Sequence, residues 1–63
     1  MAKGSLLASA SNKEELEKMI NEYYLSTNYI IDEHNNIFNT KKQSILDGVK
    51  VVLNKGRWRF ERV

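Results

Sequence analysis

The chain has no cysteine and no proline, one histidine, and three glycines that stand alone at positions 4, 48 and 56. Without cysteine there is no disulfide and no thiolate metal ligand. A chain of 63 residues buries only about 60% of its unfolded surface, so its core must hold without covalent or metal reinforcement. The same absence agrees with a reducing compartment, and a cytoplasmic location is the expectation. Isolated glycines exclude a Gly-rich loop that cradles phosphate. His34 follows Asp32 and Glu33, but no further Cys or His completes a zinc site. It is expected in a solvent-exposed turn, with no metal and no cofactor. No apolar run approaches the ~20 residues of a membrane span. "MAKGSLLASA" also lacks the apolar core of about 7–15 residues that a signal peptide needs. No membrane partner is expected.

The pieces of a catalytic site are missing too. Ser5, Ser9, Ser11, Ser26 and Ser44 share one histidine as potential base, and no strand-turn-helix nucleophile motif is present. Asp32 and Glu33 are adjacent, and adjacent strand residues face opposite sides. A chain this small has little room for a pocket of the usual ~300 Å³ or more. No enzyme is expected.

What is present describes a folded chain. Hydrophobic residues make up 41% and charged residues 29%, a balance of globular rather than disordered segments. Residues 1–10 are small and polar with no periodicity, and read as a flexible tail. Residues 11–63 then form one small domain. In "SNKEELEKMINEYY", Ser11 and Glu14, or Asn12 and Glu15, have capping spacing. Leu16, Met19, Ile20 and Tyr23 form one apolar stripe at i, i+3, i+4 and i+7. The spacing predicts a helix over 13–24, with Glu14, Glu17 and Asn21 on a solvated face. A helix of ~12 residues is marginal alone and must dock.

The partner is a sheet. "STNYIID" and "NIFNT" read as strands around a turn in which Asn35 or Asn36 takes a left-handed conformation. That pairing sets Ile31 opposite Phe38. Asp47-Gly48 between Leu46 and Val49 is a hairpin signal, and a short helical turn over 44–47 is the competing reading. The last stretch, "VKVVLNKGRWRFERV", fits one register. With Lys55-Gly56 as the turn, Leu53 faces Trp58, Val51 faces Phe60 and Lys50 faces Glu61. Apolar pairs share one face, while Lys50, Val52, Arg59 and Glu61 share the other. The fold class is therefore α+β: one N-terminal helix packed on an antiparallel meander of three or four strands. Trp58 and Phe60 point into the core.

Charge is uneven along the chain. Residues 1–40 carry three lysines against six carboxylates, and residues 41–63 carry seven cations against two. Such asymmetry points to a polyanion or to a partner that reads a dipole. The expected surface is nucleic-acid-binding: Arg57 and Arg59 on the open face of the last hairpin, with Lys50, Lys55 and Arg62 adding phosphate contacts and Lys41 and Lys42 outlying. The other reading is a protein-interaction module, a small regulator or inhibitor docking on a larger protein, of phage or plasmid origin. A homodimer is a further expectation, sealed by Tyr24 and Leu25 or by an open strand edge across a two-fold axis.

Overall fold

The computed structural model describes residues 5–63. Strand β1 (Leu6–Ala10) precedes helix α1 (Lys13–Tyr23). Five strands follow: β2 (Tyr29–Ile31), β3 (Ile37–Asn39), β4 (Ser44–Ile45), β5 (Val49–Asn54) and β6 (Arg57–Arg62). All pairings are antiparallel, in two three-stranded sheets ordered β1-β6-β5 and β2-β3-β4. The α+β class stands, with two short sheets in place of a single meander. Of the expected tail, Leu6–Ala10 is instead a strand, and residues 1–4 lie outside the described part. Ala8 and Ala10 pair with Phe60 and Trp58. Their small side chains sit beside those bulky residues on the shared face of the sheet.

The β5–β6 hairpin has the register the alternation demands: Leu53 opposite Trp58, Val51 opposite Phe60, Lys50 opposite Glu61. Its turn is Lys55 (φ 52°) and Gly56 (φ 78°), both left-handed as a two-residue type I′ hairpin requires. The β2–β3 pairing sits one residue from expectation. Ile31 lies opposite Ile37, and Ile30 opposite Phe38. The five residues Asp32–Asn36 close the loop, and Asn35 is the left-handed one (φ 63°). The shift buries Ile31 and Ile37 together, as a half-buried strand pair should. Asp47-Gly48 makes no hairpin. Gly48 (φ 84°) turns the chain from β4 in one sheet to β5 in the other.

The core joins three layers. Leu16 and Ile20 come from α1, Ala10, Val51 and Phe60 from the first sheet, and Ile31 and Ile37 from the second. Asn12 caps the helix, its side chain accepting the Glu15 N–H at 2.8 Å. At the other end Tyr24 is partly buried against the core, while the more exposed Tyr23 keeps its ring edge-on to Phe60 at 5.6 Å. Tyr23 is about half exposed, while the Tyr24 ring lies 5.2 Å from Tyr29 and 6.1 Å from Phe60, centroid to centroid. Tyr24 is thereby removed from the expected dimer contact.

The polar side of α1 is not simply solvated. Asn21 donates to the Tyr29 carbonyl (3.0 Å) and accepts the Tyr29 N–H (2.9 Å). Glu17 accepts the Ile31 N–H (3.0 Å), and Lys13 donates to the Asp32 carbonyl (3.0 Å). Asn21 and Glu17 are four positions apart, about 6 Å along a helix, against about 6.7 Å for the two strand residues from Tyr29 to Ile31, and the longer Lys13 side chain reaches the next carbonyl. The helix therefore presents side chains to β2 much as a neighbouring strand presents its backbone.

Two local features carry measurable consequences. Leu25 ends α1 with φ 52° in a Schellman arrangement, in which Ser26 N–H bonds the Asn21 carbonyl and Leu25 N–H the Glu22 carbonyl. A left-handed conformation strains any side chain, and Leu25, 94% exposed, gains nothing by burial. Leu25→Gly should raise the unfolding free energy by about 0.5–1 kcal/mol. A lower denaturant midpoint in the glycine variant would refute this.

In the β2–β3 loop the Asp32 carboxylate accepts the N–H groups of Asn36 (2.8 Å) and His34 (2.9 Å). These bonds, Asn36 first, hold its pKa below the ordinary 3.8. A depressed carboxylate contributes stability above its unfolded pKa and loses it as pH falls through the folded value. Unfolding measured from about pH 5 down to about pH 2 should therefore show a steeper acid loss in wild type than in Asp32→Asn. Superimposable profiles would exclude the contribution.

Candidate nucleic-acid interface

The outer face of the first sheet is set by strand alternation on either side of β6. Phe60 is fully buried on the inner face, so Arg57, Arg59 and Glu61 point outward. Pairing places Lys50, Val52 and Asn54 of β5 and Leu6 and Ser9 of β1 beside them. Lys50 and Arg57 are exposed on this face, and Lys55 is exposed in the turn beside Arg57. Arg57 Nε donates to Ser9 Oγ at 3.2 Å, which draws the guanidinium across the sheet toward β1.

The other two expected residues fare differently. Arg59 Nε meets Glu61 Oε2 at 2.6 Å. The Arg59 side chain is 34% exposed and that of Glu61 only 13%, so this cation is held on the sheet surface and largely neutralised. Arg62 leaves the face altogether. It pairs with Val49 and shares the inner side with Phe60, where its charge opposes the upward shift that burial, and then Tyr23 and Tyr29, impose on the Tyr24 phenol. Lys41 and Lys42 sit on the β3–β4 turn of the second sheet.

Neither ring of β6 is open to a base. Phe60 is buried, and half-buried Trp58 carries the Lys13 ammonium 5.7 Å from its ring centroid. The outer face therefore offers charge without a stacking platform. His34 lies in solvent, its Nε2 3.6 Å from Glu33 Oε2, and no three His, Asp or Glu side chains converge among the described residues. A shallow depression of about 360 Å³ opens at the end of α1, lined by Asn21, Glu22, Leu25, Ser26, Thr27 and Asn28. Glu22 is its one titratable group.

Alternation along β6 could have excluded Arg62 from the face, because it shares parity with Phe60. Nothing local marks Glu61 as the partner of Arg59 rather than of Lys50, since both lie within reach. Among the described residues no helix is long and apolar enough to cross a membrane. Comparison with known proteins finds no matching family model, no matching curated protein and no matching solved structure.

Proposed function

We propose that the chain is a small non-enzymatic binding module of the cytoplasm that holds a nucleic-acid backbone against the outer face of its first sheet. One observation carries this reading. Lys50, Arg57 and Lys55 are exposed at that face, and among the described residues none has a carboxylate within ion-pairing distance. Three phosphate contacts without base stacking give weak, sequence-tolerant binding driven by counterion release. Arg59 and Arg62 contribute less than the sequence alone suggests, the first being paired and the second turned away.

The test is fluorescence anisotropy with labelled single- and double-stranded DNA and RNA at low and physiological salt. Three contacts predict a log–log salt slope of about −2.7 on duplex DNA. Lys50→Glu with Arg57→Glu should abolish binding while the domain stays folded. Glu61→Gln should tighten it, because Arg59 is released and a negative charge removed. No binding at the lowest salt, or wild-type binding by the folded double variant, would reject the reading. A second reading, a protein partner, is favoured by an apolar row on the other sheet.

A further inference from the structure

The outer face of the second sheet is apolar. Phe38 on central β3 lies between the buried residues Ile37 and Asn39 and so points away from the core. Ile30 of β2 and Ile45 of β4 are its cross-strand partners. Ile30 is 39% and Ile45 52% exposed. The three side chains form one row across the sheet, where antiparallel sheets ordinarily carry polar groups.

Charge is divided about this row. Beyond one end of β3 lies the Asp32–Asn36 loop with exposed Glu33. The chain leaving β4 reaches the same end, since Leu46 N–H bonds the Ile37 carbonyl, and brings exposed Asp47 there. Beyond the other end is the β3–β4 turn with exposed Lys41 and Lys42. Asn39 Oδ1 holds that turn by accepting both lysine N–H groups at 2.9 Å. The face is thus acidic, apolar and basic in succession along the strand direction.

We propose that this face binds a second copy of the chain. Two sheets can meet face to face about a two-fold axis that lies along the apolar row or along the strands. The second choice sets lysines against lysines. The first sets Phe38 on Phe38 and places each basic turn over the other copy's acidic loop, a self-complementary isologous contact. Charge therefore selects one arrangement, with β3 antiparallel to its mate across an intersheet gap of about 10 Å. Three short strands make a small contact, well below the ~800 Å² per partner of a standard interface. The dimer is accordingly weak and forms with rising concentration.

Sedimentation equilibrium of the full chain without nucleic acid, from about 10 μM to about 1 mM, tests this at affinities where a small interface operates. Wild type should pass from the mass of one chain toward two. Phe38→Lys, a change outside the core, should remain a single chain. Lys41→Glu with Lys42→Glu makes both ends acidic, and Glu33→Lys with Asp47→Lys makes both basic. Each double variant alone should stay monomeric, and an equimolar mixture should associate as wild type does. Backbone amide spectra confirm that each is folded. Wild type remaining one chain at the highest concentration would overturn the proposal and leave the row to solvent or to another protein. Undiminished association of Phe38→Lys, or no association in the charge-swapped mixture, would overturn it equally. Failure here leaves the nucleic-acid titration unaffected, because the two faces belong to different sheets.

Discussion

Phe60→Ala lowers the unfolding free energy by about 4 kcal/mol, within the 3–5 kcal/mol found for truncating a buried phenylalanine. The side chain is fully buried on the central strand of its sheet. Ala8 and Val51 flank it from the neighbouring strands, and the rings of Tyr23 and Tyr24 stand edge-on to it at 5.6 and 6.1 Å. Removing the ring opens a cavity between the helix end and both neighbouring strands, so no single element can move in to fill it. A chain of 63 residues has about 3–9 kcal/mol in total at ordinary stability per residue. The loss therefore takes from a little under half to all of it, and a cooperative urea transition should weaken drastically or vanish. Phe60→Leu keeps most of the volume and should cost nearer 1–1.5 kcal/mol. A well-folded Phe60→Ala protein with a wild-type midpoint would mean that the core is centred elsewhere.

The second large effect is expected at Asn21. Asn21→Leu conserves bulk and improves helix propensity, yet it removes both bonds to Tyr29. The strand's N–H and carbonyl then face a hydrocarbon side chain, a penalty of about 1–3 kcal/mol for unsatisfied groups in partial burial. A net loss of about 2 kcal/mol follows. The specific signature is local: the Tyr29 amide should exchange with solvent at least about ten times faster, since 1.4 kcal/mol corresponds to tenfold. Unchanged protection at Tyr29 would show that the helix side chain does not hold the strand.

The contrast between these sites shows where sequence reasoning reaches. The β5–β6 register was legible because a two-residue turn and several apolar pairs agree on one alignment. The helix was legible from its cap and stripe. Strand β1 was not, because alanine and serine at 8–10 have little strand preference of their own. They are extended because β6, nearly fifty residues later, needs a second neighbour with small side chains. Glu17 and Asn21 read as solvated for a related reason: the helical pattern places them off the apolar stripe but cannot say that an unpaired strand edge lies there. The candidate surface was legible in part. Parity puts Arg57, Arg59 and Lys50 on one side, but the choice of Glu61 for Arg59 is made by side-chain packing.

The ladder from α1 to β2 also bears on aggregation. Two open sheets have four outer edges, and a bare edge is a template on which other chains can add strands. Here β2 is covered by Glu17 and Asn21, and the residue that follows it by Lys13. Strand β4 is only two residues long, β5 carries Lys50, and β1 breaks its pairing with a bulge between Leu6 and Ala8. Covering, shortness, charge and a bulge are four separate means of blunting an edge, and each edge has one. The chain is thereby guarded against growing into fibrils through its strands, and contacts between copies are left to the sheet faces.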